Sequence, residues 1–275
     1  MVNNAGTCRA DQLGDIMCDL KNKGAAMKKV ILGVALCGAA VGLAGAANAD
    51  GVNSDFLSGS TNALILGVTG IPTPDAAYIS DAENLYLDPS GYHGTAASAL
   101  ALTTPETYDF GPSVTQGEND IVNAVVADYD AGDMHCAVSG VCSDPLTIFS
   151  YSQSSAIASL AEQQLEADKI PSEALRFVML GANPTGVPDN LYPTEVYNID
   201  GDFWSQPFSV GTTLQDILLG MVLHDAYLGL TPAEIDAATP VVEGMTTVYD
   251  IPTLTTTELW EALLSMLSAG AGVQF

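Results

Sequence analysis

Basic residues are scarce in this chain. Seven Lys and Arg stand against 33 Asp and Glu, a net charge of −26 over 275 residues. Nucleic-acid binding is excluded on that ground, because a phosphate backbone would be repelled. Histidine is scarcer still, with only His93, His135 and His224. Long apolar runs are missing after residue 50: none reaches the roughly 18 residues that span a bilayer, which excludes a polytopic membrane protein there. Charged residues of either sign make up 15% of the chain and apolar residues 48%. That is too apolar for a disordered chain and enough for a large core. The length fits one or two domains.

The N-terminal region has a different composition. Met27 is followed by Lys28 and Lys29, an apolar run from Val30 to Ala46, and Ala47-Asn48-Ala49. This order predicts a signal peptide over 27–49 with cleavage after Ala49. Residues 1–26 are then an upstream extension, 50–275 a single domain, and the product is secreted or held in the cell envelope. Beyond Ala49 only Lys169 and Arg176 remain against 30 acidic residues, a net −28. Such a surface repels anionic substrates and anionic lipids. The two cysteines left, Cys136 and Cys142, have five residues between them. In an exported protein they predict a disulfide closing a small loop. No second Cys/His pair lies at ligand spacing, so no zinc site is expected. Asp128, Asp130 and Asp133 lack the rest of a calcium loop and read as a solvated turn.

Past the leader, short apolar runs alternate with helical periodicity. Ala63–Gly67 reads as a buried strand, and residues 71–115, rich in proline, as an irregular stretch of the kind that forms a functional loop or lid. A helix is expected over Gly117–Ala131, a strand over Leu146–Phe149 and a helix over Ser152–Ala167, which Pro171 ends. Strands follow at Leu175–Leu180 and Glu195–Ile199, then helices at Gly211–Leu228 and Thr256–Ala269. Strand–helix–strand order implies a doubly wound, mostly parallel sheet with helices on both faces, an α/β architecture.

One turn carries the chemistry. Ser150-Tyr151-Ser152-Gln153-Ser154 sits between a buried strand and a helix, the context of a nucleophile elbow. Positions 150 and 154 must be small because neighbouring backbone passes close by, and serine meets that need less well than glycine. The competing reading is a plain helix N-terminus capped by Ser150 or Ser152. A serine hydroxyl needs a base, and the base needs an acid to orient it. In the order Ser, acid, His, only His224 lies late enough. Asp200 and Asp202 both stand just past the strand that ends at Ile199. Two backbone N–H groups are needed for an oxyanion. Gln153 supplies one and the loop Gly67-Val68-Thr69-Gly70 the other, at Thr69.

Four blocks stand out: Leu66-Gly67-Val68-Thr69-Gly70-Ile71-Pro72-Thr73-Pro74; Tyr151-Ser152-Gln153-Ser154-Ser155-Ala156; Tyr197 with Gly201-Asp202-Phe203; and Leu223-His224 with Tyr227. Together they resemble the PE-PPE domain of mycobacteria and related actinobacteria, a serine α/β-hydrolase relative of cutinases. Ser150 replaces the usual glycine, and Trp204 stands where proline is usual. The resemblance implies a cutinase-like α/β-hydrolase fold and favours Asp202 as the acid. It implies an esterase acting on short- to medium-chain acyl esters or lipids through Ser152, Asp202 and His224, without metal or cofactor, and the signal peptide makes that esterase a secreted one. Two alternatives stand beside it: a cell-envelope acyltransferase that moves the acyl chain to a sugar or glycolipid hydroxyl, and a non-catalytic lipid-binding domain. Transient contact with cell-envelope lipids is expected under each.

Overall fold

The structure, a computed structural model, describes residues 52–95, 97–206 and 212–269. The expected upstream extension and signal peptide, residues 1–49, lie outside the described residues. Seven strands form one sheet: β1 (Ala63–Ile65), β2 (Ala99–Ala101), β3 (Leu146–Tyr151), β4 (Leu175–Leu180), β5 (Thr194–Ile199), β6 (Thr239–Glu243) and β7 (Thr246–Ile251). Their order is β2-β1-β3-β4-β5-β7-β6. All neighbours are parallel except the β6–β7 hairpin.

Strand side chains alternate between two cores. Ala63, Ile65, Phe149, Tyr151, Val178 and Leu180 face one side; Leu64, Leu66, Ile148, Phe177 and Met179 face the other. Covered on both faces, the strands read as near-continuous apolar runs. The first face is covered by α1 (Ala76–Ala82), α4 (Leu214–His224), α5 (Pro232–Asp236) and α6 (Thr256–Ala269). The second is covered by α2 (Phe110–Ala131) and α3 (Gln153–Ala167). This is the expected doubly wound arrangement of an α/β-hydrolase fold. Among the described residues no helix is long and apolar enough to cross a membrane.

Several elements differ from the sequence expectation. The stretch 71–115 is not irregular throughout. Asp75 caps α1 by accepting the N–H groups of Ala77 and Tyr78, a π-helical turn Glu83–Leu87 continues it, and β2 forms the sheet edge. Helix α2 begins at Phe110, seven residues early, because Pro112 sits in the first turn, where its missing N–H has no intrahelical acceptor to lose. Gly117 is a packing residue instead of a start: a Cβ there would stand 2.8 Å from Ile157 Cδ1 of α3. Helix α4 ends at His224, and Tyr227–Gly229 forms a separate 3₁₀ turn. The β6–β7 hairpin is an addition that the sequence pattern does not announce.

Disulfide Cys136–Cys142 closes the turn between α2 and β3, as the cysteine spacing implies. Asp128 lies in the last turn of α2 and Asp133 just past it, where left-handed Gly132 turns the chain and Asp133 N–H donates to Asp128 O at 3.1 Å.

The chain leaves β1 outward to β2, then returns to the other side of β1 and winds outward from β3. The crevice beyond the carboxyl ends of β1 and β3 is therefore the switch point where ligands bind in open α/β sheets.

Candidate active site

Thr69, Ser152 and Asp202 each follow the carboxyl end of a strand, and His224 closes helix α4. Ser152 comes directly after β3 with φ 61° and ψ −118°. A non-glycine residue is strained there by about 1–3 kcal/mol, and it persists only where its surroundings enforce it. The enforcement is visible. Ser152 N–H donates to Leu180 O at 2.9 Å. Ser154 Oγ accepts Tyr151 N–H at 2.8 Å and donates to Tyr151 O at 3.0 Å, clamping the bend from its far side. A glycine could not make those bonds. Ser150 fits at full burial, but its Oγ has no hydrogen-bond partner.

The bend aims Ser152 Oγ at His224 Nε2, 2.7 Å away. His224 Nδ1 lies 2.8 Å and 3.0 Å from the two oxygens of Asp202. Asp202 is fully buried and its remaining lone pairs are filled. Tyr227 Oη donates to Oδ2 at 2.7 Å and the Trp204 N–H to Oδ1 at 2.8 Å. A proline at 204 would have no N–H to give, so the tryptophan adds a bond that the commoner residue lacks. Asp200 is not part of this group. It is exposed and holds Thr253 Oγ1 at 3.0 Å and Gln206 Nε2 at 3.5 Å.

Two tyrosines and two glycines to which the sequence motifs assign no role fix the geometry. Tyr151 Oη donates to the backbone carbonyl of His224 and holds that end of α4 to the sheet. Tyr227 Oη also accepts Ile199 N–H at 2.9 Å, which ties the Asp202 carboxylate to the end of β5. Gly181, φ +59°, follows β4 and leaves room for the imidazole. Gly220 lets α4 approach the acid's turn, since a Cβ there would come within 2.6 Å of Gly201 O. Only the tertiary contacts give these four residues a role.

Opposite the imidazole, Gln153 opens α3, so its N–H has no intrahelical acceptor. Its side chain holds the loop after β1: Nε2 donates to Thr69 Oγ1 at 3.3 Å and Thr107 O at 3.0 Å, while Oε1 accepts from Ser113 Oγ at 2.7 Å. Gly70 N–H donates to Glu106 O at 2.6 Å. Glu106 is itself buried, and burial pushes its carboxyl up to about 7. Asp225, beside His224, is likewise raised by burial to about 6.

A cavity of about 680 Å³ opens on Ser152 and His224, within the range that holds a small organic ligand. Apart from the groups above, its walls are mainly apolar: Val68 and Ile71 of the β1 loop, Val114 of α2, Leu160 of α3, and Leu228 and Met266 on the imidazole side. Among the described residues no cluster of His, Cys, Asp or Glu is arranged to hold a metal ion.

Strand order and bend together place the chain in the α/β-hydrolase fold class. Residues 92–191 match the family model described as PE-PPE domain, and over that segment the chain is a PE-PPE domain, as its motifs imply. Two relatives come from Mycobacterium tuberculosis (strain ATCC 25618 / H37Rv). One is named Uncharacterized PPE family protein PPE28, 30% identical over 228 residues that cover 69% of this chain and 33% of the relative. The other is named Esterase PE16, 30% identical over 222 residues that cover 66% of this chain and 39% of the relative. This chain thus spans between a third and two fifths of the length of the relatives it matches. No solved structure matches it significantly. The family match includes Ser152 but not Thr69, Asp202 or His224.

Proposed function

We propose that this chain is a serine ester hydrolase acting on small acyl esters of short to medium chain length. The PE-PPE domain and the esterase name of one relative support an esterase-like, lipolytic activity. The observation that carries the serine mechanism is the unbroken line from Ser152 Oγ to His224 Nε2 to Asp202 at hydrogen-bond distances.

Ser152 Oγ attacks the ester carbonyl carbon as its proton passes to His224 Nε2. The carbonyl oxygen becomes an oxyanion held by the N–H groups of Thr69 and Gln153. The intermediate collapses, the C–O bond to the alcohol breaks, and His224 returns the proton to the leaving alkoxide. A water then gives its proton to His224 and attacks the acyl-Ser152; the bond from the acyl carbon to Ser152 Oγ breaks, the acid leaves, and His224 returns the proton to Ser152 Oγ. Throughout, buried Asp202 keeps Nδ1–H in the right tautomer and offsets the imidazolium charge. An apolar cavity suits the hydrocarbon of an ester, and the strongly acidic chain disfavours anionic substrates. Export, read from residues 27–49, is supported by the disulfide Cys136–Cys142, which persists in oxidising compartments.

Nitrophenyl esters of rising chain length, assayed on wild type and Ser152→Ala, test this reading. The variant is expected to lose roughly 10³-fold or more in kcat while keeping its fold. Equal rates in the two proteins would remove the mechanism.

A further inference from the structure

Helix α4 contains seven aliphatic or methionine side chains among its eleven residues, Leu214 to His224. That is more than one buried stripe can absorb. Leu223 and His224 point inward, but Leu214 stays 45% exposed and Leu218 38% exposed. With Met221 these two fall at spacings of four and three, which is one stripe along the helix. Met221 is itself exposed and lines the cavity over Ser152. The same opening is bordered by Trp204, Phe110 and Leu160, all of them exposed. The exposed apolar surface thus rims the mouth of the site and runs outward along α4, and a clustered patch of this kind marks an interaction face.

The charge distribution selects the partner. Lys169 and Arg176 are the only basic residues after Lys29. Both lie at the amino end of β4, opposite the site, and both are engaged, with Glu166 at 3.7 Å and Glu173 at 3.5 Å. Among the described residues no basic side chain near the mouth is available for an anionic headgroup, and the net negative charge repels anionic lipid and further copies of this chain alike. We infer that α4 and the cavity rim dock on a net-neutral lipid surface. An ester lipid then passes from that surface into the cavity without its chain crossing water. The transfer step rests on the esterase reading; the docking does not.

Trp204 on the rim reports the contact. In the full chain carrying Trp260→Phe, Trp204 is the sole tryptophan, and phosphatidylcholine vesicles brominated in their acyl chains quench it only where the rim meets lipid. Quenching is expected, and adding Leu214→Ser and Leu218→Ser should raise the lipid concentration required by about ten-fold. Either serine alone should give a smaller shift in the same direction. Vesicles containing phosphatidylglycerol should quench less at low salt, with the difference shrinking as salt rises.

Absent quenching would overturn the proposal, even if the protein floats with vesicles through its apolar residues 30–46. So would quenching indifferent to both serines, or a dimer that the serines dissociate without any lipid contact. Ser152→Ala should quench like its parent. Quenching retained alongside undiminished Ser152→Ala hydrolysis would sink the esterase reading alone.

Discussion

Gly181 stands against the imidazole of His224: a Cβ at position 181 would lie 2.8 Å from Cε1 and 3.0 Å from Nδ1. It would also meet Asp202 Oδ2 at 3.3 Å, and φ +59° disfavours any other residue. Alanine there should displace the ring without disturbing the sheet. The expected outcome is a fall of about 10²-fold in kcat/KM, the usual consequence of an ångström's misplacement. The far-ultraviolet circular dichroism should stay unchanged.

Tyr227→Phe removes one hydroxyl that serves two groups. Asp202 Oδ2 loses a donor and the buried Ile199 N–H loses its acceptor. An orphaned buried polar group costs about 1–3 kcal/mol, so urea unfolding should show a loss of that size. Activity should drop with it, mainly in kcat, because the carboxylate that orients His224 is less firmly held. Unchanged kcat would show that the Trp204 N–H alone suffices.

Three buried carboxyls set the dependence of stability on pH. Burial raises Glu195 to about 7 and Glu162 to about 9, and Glu106 shares the shift. Each folded group holds its proton more tightly than the unfolded chain does. Their stabilisation is therefore complete below the unfolded value of about 4.3 and is lost as pH rises through the folded value. For Glu195 the loss amounts to about 3 kcal/mol between pH 4.5 and 7. The melting temperature should be highest near pH 5 and fall toward pH 9. Both Glu162 oxygens lack a partner, the Thr194 hydroxyl being turned to Tyr192 O at 3.0 Å. Glu162→Gln should therefore flatten the profile above pH 7.

Reducing Cys136–Cys142 should lower the melting temperature. Closing so short a loop restrains the unfolded chain by about 2 kcal/mol. The turn keeps its own hydrogen bonds, Ala137 N–H to Val141 O at 2.8 Å and Gly140 N–H to Ala137 O at 2.9 Å, so it should not open fully. A scan with and without reductant measures the difference.

The extent to which the fold is legible in the chain follows burial. Leu175–Leu180 and Thr256–Ala269 form where expected, because a doubly buried strand and an amphipathic helix write their periods into consecutive residues. The β6 strand is exposed along its whole length and is held by pairing with β7, so no apolar pattern announces it. Helix α1 is seven residues long with only Tyr78 and Ala82 buried, too few to show a period. The site divides in the same way. Ser152 and His224 are readable from chain order, no other histidine lying after Ser152, while Thr69 and Gln153 are expected as N–H donors only from their places after β1 and β3. Between Asp200 and Asp202 the local residues do not discriminate, and the resemblance alone favours the second.

By itself the sequence determined the alternation of strand and helix, the place of the sharp turn and the excess of negative charge, since each depends on local pattern or composition. Tertiary structure decided which carboxylate meets the imidazole, that Gly181 must stay bare, that Tyr151 and Tyr227 anchor the pair, and that Leu214 and Leu218 of α4 stay exposed while Leu223 is buried. These depend on side chains up to 73 positions apart in the chain, and only packing on a common sheet fixes such distances.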